Sequence, residues 1–336
     1  MRTIFETQNF KALAPDRPHV TSEDGGHIII KPKVQKNNRL NLDADSAIEL
    51  MWLTIVTGKA MCSVFPKCNC INYHDNGNWA FLRGDQPYFH VHLYGRSQES
   101  VNQPYFRSLY FPNPRKSKEK NRQFYKNNKP FTDNEIEKIR ESILEQCSLE
   151  EFKRNIDTIE PENVNTDTEY DDERIIFRTK SFEAIVPKVS CIDREEGGHI
   201  VIRSINGINK RQELNSETAL ELIWLTMAVG TAMKDTIPAC DHINYQNNEN
   251  PTLLNVGNCK TLTVDIFGRS KKSHKQPFGQ SLYFPDPMEY MDYYKAIKPF
   301  SKQDIENIKK ALSKQTTLEE FKRGKQLIST KSERER

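Results

Sequence analysis

The sequence predicts an α+β fold in which one domain type is used twice. Three observations carry this expectation. A series of short segments returns at a nearly constant spacing; each series runs from strand-like stretches through one long apolar helix to a closing helix; and an acidic stretch separates the two series. A chain of 336 residues is also the length of two domains at roughly 100–200 residues each.

The repeat is read directly. Phe5 to Pro15 (FETQNFKALAP) returns as Phe177 to Pro187 (FRTKSFEAIVP), and Gly25-Gly26-His27-Ile28 returns as Gly197-Gly198-His199-Ile200. Glu49-Leu50-Met51-Trp52-Leu53-Thr54 matches Glu221-Leu222-Ile223-Trp224-Leu225-Thr226, still at a spacing of 172. After one inserted residue the spacing is 173, for Gly95-Arg96-Ser97 against Gly268-Arg269-Ser270. Leu149 to Arg154 and Leu318 to Arg323 close the copies, so the expected domains are 1–154 and 174–324. The intervening 155–173 holds eight acids and no base and reads as a solvated linker, and 325–336 reads as a polar tail.

Within each copy the elements follow in order. Strands are expected at 10–15 and at His27 to Lys31, where three isoleucines run together. Asp45 or Ser46 can cap a helix reaching about Met61, and further strands fit 71–73, 78–82 and 88–94. Thr132 with Glu135 forms a capping-box pattern that opens the closing helix, and Ser301 opens its counterpart. The first helix is apolar nearly all round, with Ala47, Ile48, Leu50, Met51, Trp52, Leu53, Ile55 and Val56. Such a helix is buried on more than one side, and its matching helix, Ala219 to Val229, is the simplest partner. The expected assembly is therefore an intramolecular pseudo-dimer packed through these two helices.

Composition bounds the function classes. The apolar fraction is 36%, below a typical globular value, yet 17 Phe, 12 Tyr and 3 Trp supply packed cores, so the deficit belongs to polar linkers and loops. No run of about 18 unbroken apolar residues occurs, so no membrane span is expected. The first twenty residues lack an apolar signal core, and seven cysteines without framework spacing suit a reducing compartment. A cytoplasmic location is the expectation. A net charge of +3 says nothing about partners, so any charge signal is local.

The stretch Tyr88-Phe89-His90-Val91-His92-Leu93-Tyr94-Gly95-Arg96 carries the chemistry. A two-residue period turns Phe89, Val91 and Leu93 to the core and Tyr88, His90, His92 and Tyr94 to the other face. The second copy keeps the core face as Leu262, Val264 and Ile266 but has Thr261, Thr263, Asp265 and Phe267 on the other. Both imidazoles are thus lost from one copy while the fold residues stay, the pattern of one working and one degenerate site. Three readings remain for the pair: polar residues on a half-exposed sheet face, two ligands of a metal ion, or a nucleophilic imidazole oriented by its neighbour. A neutral histidine can attack phosphorus near pH 7, and phosphoryl chemistry then needs positioning and donors for the oxygens.

Gly-His-Ile-Ile-Ile-Lys-Pro, an apolar helix, Asn76-Gly77 and His-Val-His-Leu-Tyr-Gly-Arg together resemble the histidine-triad (HIT) superfamily, over both copies. The resemblance implies two tandem HIT-like domains, the first with an incomplete triad and the second degenerate. It implies a nucleotide hydrolase or nucleotidyl transferase acting on the α-phosphate of a nucleotide ester or anhydride. A dinucleoside polyphosphate, a phosphoramidate or a nucleotide sugar would serve, through a nucleotidyl-histidine. The catalytic residues would be His90 and His92. Counting back from Gly95-Arg96 makes His90 the middle, attacking histidine and Tyr88 a substituted first position. Counting forward makes His92 the nucleophile and Tyr94 a substituted third. We take His90 first, with His92 as the alternative. A nucleotide-binding module without turnover and a metal-dependent site on His90 and His92 are the rival readings.

Substrate-binding candidates follow, with Tyr88 and Tyr94 of the histidine face among them. His27 can approach the same site, although its survival as His199 equally suits a structural role. The resemblance sets Asn76 and Gly77 beside ribose and phosphates, and Asn78 and Gln86 could donate to phosphate oxygens. Arg96 and Ser97 could neutralise or bind phosphate, but Arg269 and Ser270 persist in the second copy, which favours a fold role. Arg115 to Lys129 holds seven bases and one acid and reads as a solvated loop able to steer polyphosphate or nucleic acid. No cofactor is expected. Zinc at Cys68 and Cys70, or at Cys240 and His242, is a lesser alternative: soft-ligand residues occupy matching places in the two copies, although the spacing is not a standard zinc signature.

Overall fold

The computed structural model describes residues 1–78, 81, 86–111, 118–159, 172–250, 261–282, 284–285, 291–325 and 327. The first copy contributes strands β1 (Arg2–Glu6), β2 (Phe10–Ala14), β3 (His27–Pro32), β4 (Cys70–Asp75) and β5 (Val91–Arg96). The second contributes β6 (Ile175–Arg178), β7 (Phe182–Ile185), β8 (His199–Ser204), β9 (His242–Asn248) and β10 (Thr263–Arg269). They form one sheet in the order β1-β2-β3-β5-β4-β9-β10-β8-β7-β6, with every pairing antiparallel. The two copies are therefore mirror halves of one ladder, joined at β4 and β9. Tyr73 faces Asn247, Asp75 faces Tyr245, and His74 faces its own counterpart, Gln246, so the pseudo-twofold axis runs through that pair.

One face of the sheet is the core. Ile28, Ile30, Ile71, Val91 and Leu93 are at most 1% exposed, as are Ile200, Ile243, Val264 and Ile266 in the second copy. Helix α1 (Ala44–Val64) covers this face, with α2 (Lys118–Asn127), α3 (Asp133–Leu144) and α4 (Leu149–Asp157) following it in the chain. The second copy repeats the arrangement with α5 (Ser216–Thr236), α6 (Met291–Lys295), α7 (Lys302–Leu312) and α8 (Leu318–Lys322). Helices α1 and α5 touch, as the apolar pattern predicts, and a short 3₁₀ turn from each copy also packs on the other copy's long helix. α1 is long and apolar enough to cross a membrane by composition, but 78% of that window is buried in the fold, so packing already accounts for its apolar surface.

Several boundaries differ from the sequence reading. Asp43, rather than Asp45 or Ser46, caps α1: its carboxylate accepts the Ser46 N–H at 2.7 Å, and Asp45 is left in the first turn, where it faces the helix dipole. The helix continues to Val64. Strand β1 was not anticipated because Arg2–Glu6 mixes apolar and charged residues without clear alternation. Gly77 and Asn78 lie in a helical turn rather than a strand. The strand expected at 88–94 starts at Val91, because Tyr88 and Phe89 donate instead to the loop carbonyls of Gly77 and Lys36. Thr132 and Ser301 form the capping boxes expected. Of the linker, 160–171 lies outside the described residues, as does the tail apart from Lys325 and Leu327.

Exchanged arginines hold the centre. Arg39 of the first copy lies 4.2 Å over the ring of Tyr245 in the second, and Arg211 of the second lies 4.2 Å over Tyr73 in the first. Arg39 Nε faces Asp75 at 3.3 Å, whereas Arg211 donates to the amide oxygen of Asn247, the residue matching Asp75. Burial raises the Asp75 carboxyl to about 7 although Arg39 opposes it. A carboxyl raised in the folded state contributes less stability as pH climbs from its unfolded value of about 4 to about 7. Asp75→Asn copies the geometry already used at Asn247 and removes that titration. Denaturation at pH 5 and pH 7 should therefore show the variant gaining on the native protein as pH rises, by at most about 1.4 kcal/mol per pH unit, with no further gain above pH 7.

Candidate active site

The face opposite the core carries the histidines. Ladder register sets Tyr94 beside His27 of β3 and Asn72 of β4, and His92 beside Ile29 and His74. His90 lies one residue before the ladder. His27, His90 and His92 are 2%, 8% and 8% exposed, so their polar atoms must find partners inside the protein.

They find each other. The backbone N–H of His19 donates to His27 Nδ1 at 3.3 Å; His27 Nε2 meets His92 Nδ1 at 2.8 Å; His92 Nε2 meets His90 Nε2 at 2.9 Å; and His90 Nδ1 meets the Tyr88 carbonyl at 3.2 Å. The two ends fix the protons. A backbone N–H can only donate, so His27 Nδ1 is an acceptor and its proton sits on Nε2. His27 then donates to His92 Nδ1, which places the His92 proton on Nε2, aimed at His90. The Tyr88 carbonyl can only accept, so His90 carries its proton on Nδ1 and keeps a lone pair on Nε2. One arrangement of three neutral imidazoles satisfies all four contacts, and an added proton anywhere sets two donors against each other. Electrostatics agree: burial, together with the neighbouring imidazoles, drives His27 and His92 well below the ordinary histidine value.

The surroundings hold the relay in place. The rings of His27 and Tyr94 lie 4.6 Å apart, the Tyr94 ring stacks on His92, and the Tyr88 ring stacks on His90 at 4.7 Å. Tyr94 is fully buried, and its hydroxyl meets His19 Nδ1 at 3.2 Å, so it supports the relay from within rather than reaching a substrate. A Cβ on Gly77 would stand 2.3 Å from the Tyr88 carbonyl oxygen, the group that sets the His90 tautomer, so only glycine permits that approach.

Other candidates are engaged elsewhere. Asn76 accepts from Asn244 and Gln246 of the second copy at 3.1 and 3.3 Å. Asn78 donates to the Phe278 carbonyl, and its counterpart Asn250 donates to the matching Tyr105 carbonyl. Each copy thus clasps the other's loop, and Asn78 has that role in place of the expected phosphate contact. Arg96 is 1% exposed and donates to the carbonyls of Pro104, Tyr105 and Arg107, while Arg269 donates to those of Gln276, Pro277 and Gln280, the last two matching Pro104 and Arg107. Ser97 accepts the Glu99 N–H within a turn that Ser270 repeats at Lys272. Both are loop-forming residues in both copies. Gln86 is exposed and makes no bond among the described residues.

For zinc, the thiols turn away from each other. Cys68 Sγ contacts the Cys70 carbonyl, Cys70 Sγ meets the Tyr105 hydroxyl, and Cys240 Sγ contacts the His242 carbonyl. Among the described residues, no group of three or more His, Cys, Asp or Glu side chains is arranged to hold a metal ion. The basic segment expected as a loop is helical over Lys118–Asn127, and 112–117 lies outside the described residues.

Two residues of the site escaped the sequence reading. The His19 ring stacks on His27 at 5.0 Å and joins the Tyr94 and Tyr125 hydroxyls, and burial lowers it to about 4. His74, opposite His92, donates from Nε2 to Asn248 and is likewise lowered by burial to about 4. The signal was present: the second copy replaces His19 with Cys191 and His74 with Gln246, as it replaces His90 and His92, but keeps His27. In that copy the Cys191 N–H still donates to His199 Nδ1, and His199 Nε2 ends on Asp265 at 3.0 Å.

No protein-family model matches the chain, and no curated protein matches it in sequence. Solved structures do. A uridylyltransferase structure aligns over 92% of this chain and 86% of its own, with a TM-score of 0.50 at 12% identity. A GalT-like protein from Arabidopsis thaliana aligns over 92% and 87%, with a TM-score of 0.50 at 10% identity. The chain therefore shares its fold with these two structures over nearly its whole length.

The relay makes a spectroscopic prediction. In long-range ¹⁵N–¹H spectra at pH 7, His27 and His92 should appear as neutral Nε2–H tautomers and His90 as Nδ1–H. Gly77→Ala, by displacing the Tyr88 carbonyl, should change the His90 pattern while leaving that of His27. An Nε2–H signal for His90 in the native protein would contradict the assignment.

Proposed function

We propose that the chain is a nucleotidyl-transferring enzyme with one active site, in its first copy, and that His90 Nε2 is the nucleophile. The observation that carries this is the direction of the relay. His92 is the alternative, but it sits mid-relay: one of its nitrogens holds a proton, and the lone pair of the other receives the His27 N–H in the interior. His90 is the last imidazole of the relay: its proton rests on the Tyr88 carbonyl, and its Nε2 lone pair accepts from the neighbouring His92 N–H, a bond that is given up when Nε2 attacks.

The chemistry follows from that order. A nucleotide ester or anhydride brings its α-phosphorus to His90 Nε2. The nitrogen–phosphorus bond forms, the bond to the leaving oxygen breaks, and the leaving group departs with the electron pair. The imidazole becomes cationic, and its Nδ1–H bond to the Tyr88 carbonyl strengthens as it does. The His92 Nε2–H, which rests on the His90 lone pair, loses that acceptor when the new bond forms. It lies 2.9 Å from the attacking nitrogen and so is placed to donate to a phosphoryl oxygen. Water then releases the nucleotide, or a second phosphorylated substrate accepts it. The name of the uridylyltransferase neighbour supports the transfer outcome, and labelled acceptors decide it. Thr263 stands where His90 stands, so the second copy has no imidazole at that position.

Incubation with α-³²P-labelled nucleotide substrates tests the reading. The native protein should give an acid-labile, base-stable adduct, which His90→Ala abolishes. His92→Ala should retain the adduct but form it roughly 10²–10³-fold more slowly, the usual cost of one lost oxyanion donor. An adduct that survives in His90→Ala would transfer the role to His92. Nucleotide binding without adduct or turnover across dinucleoside polyphosphates, phosphoramidates and nucleotide sugars would leave a binding module.

A further inference from the structure

Outside the relay, the first copy holds a second pair of reactive groups. Cys62 lies in the last turn of α1, and Cys68 follows the turn that leads from α1 into β4. Their sulfurs are 3.9 Å apart. Cys68 is buried, its Sγ seated in the notch left by Gly25, where a Cβ would come within 2.6 Å of it. Cys62 is only partly buried, so a small oxidant can reach it while Cys68 stays shielded. The hydrogen bond between them lowers the Cys62 thiol from its ordinary value and raises Cys68 well above it. The second copy has Lys234 and Cys240 at these positions, so the pair belongs to the copy that kept its histidines.

We propose that Cys62 and Cys68 are a peroxide-reactive dithiol, with Cys62 the attacking thiol and Cys68 the resolving one. In the first step the Cys62 thiolate attacks hydrogen peroxide. A sulfur–oxygen bond forms, the oxygen–oxygen bond breaks, and hydroxide leaves to become water. Sulfur is oxidised by two electrons to the sulfenic acid, and peroxide is reduced. In the second step Cys68 sulfur attacks Cys62 sulfur. The disulfide forms, the sulfur–oxygen bond breaks, and the departing hydroxide takes the Cys68 proton as a second water. Closing the sulfurs from 3.9 Å to about 2.0 Å requires a side-chain movement of about 2 Å. The cross-link would tie the end of α1 to the entry of β4, the strand that joins the two copies.

The experiment uses the native full-length protein and does not depend on its catalytic activity. After treatment with hydrogen peroxide, alkylation of remaining thiols and trypsin digestion, peptides 60–67 and 68–83 should appear joined, two hydrogens lighter than their sum plus one alkyl group, which fragmentation places on Cys70. Without peroxide, Cys62 should alkylate faster than Cys147, although Cys147 is exposed, because the hydrogen bond from Cys68 lowers the Cys62 thiol while burial and Glu151 raise the Cys147 thiol. Cys68→Ser should stop the cross-link and leave a Cys62 sulfenic acid that dimedone captures. The proposal falls if Cys147 is the faster thiol, or if peroxide oxidises Cys62 in the native protein without joining the two peptides. The native peptide map decides the matter even if a variant does not fold.

Discussion

The pairing of β4 with β9 is the constraint on which the rest of the molecule depends. It closes the exposed edge that each five-stranded half would otherwise present, so the ladder is continuous across the pseudo-twofold axis. Once that register is set, the exchanged contacts follow. Arg39 and Arg211 reach over the other copy's tyrosine, and Asn78 and Asn250 reach the other copy's loop. The turn that contains Asn76 and Gly77 is fixed from both sides: Asn76 by Asn244 and Gln246, Gly77 by the Tyr88 backbone. The second copy is therefore a necessary part of the first copy's site, because it braces the turn that supports the Tyr88 carbonyl.

The relay shows how little is needed to orient several histidines. Two backbone groups of fixed polarity, the His19 N–H and the Tyr88 carbonyl, decide every proton between them, and burial removes the charged alternatives. The second copy begins with the same backbone donor but ends the chain one residue earlier, on Asp265. An aspartate accepts the His199 proton and passes none on. The loss of activity proposed for that copy is thus a truncation of the relay rather than a collapse of the fold. His27 belongs to both designs, which is why its survival as His199 gave a mixed signal in the sequence.

What was legible in the sequence was local or repeated. The duplication announced the repeated order of strands and helices, the apolar face of Ala47 to Val56 located the buried helix, and Thr132-x-x-Glu135 located a cap. Comparison of the copies found His90 and His92, and carried one step further it would have found His19 and His74. What was not legible depends on long-range register. Nothing near Cys70–Asp75 states that its partner is more than 160 residues away in β9, so the bracing roles of Asn76 and Asn78 could not be separated from phosphate binding. Arg96 was ambiguous for a related reason: a conserved pattern between copies cannot distinguish a loop anchor from a shared ligand, whereas three bonded carbonyls can. The Asp43 cap was missed because three candidate oxygens crowd four residues, and only the observed backbone chooses among them.

The histidines also carry a cost that a structural role alone would not explain. Burial lowers His19 and His74 to about 4, and lowers His27 and His92 well below their ordinary value. A histidine depressed in this way contributes fully to stability above its unfolded value of about 6.5 and loses that contribution as pH falls below it, because the unfolded chain takes up the proton first. Four such groups in one copy make that half increasingly acid-sensitive. The second copy replaces three of the five first-copy histidines' roles with Cys191, Gln246 and Asp265, and a fourth with Thr263, while keeping the same strands. The fold therefore does not require the imidazoles. Their concentration on one sheet face, at a continuing cost in acid stability, is the reason that face is the one proposed for chemistry.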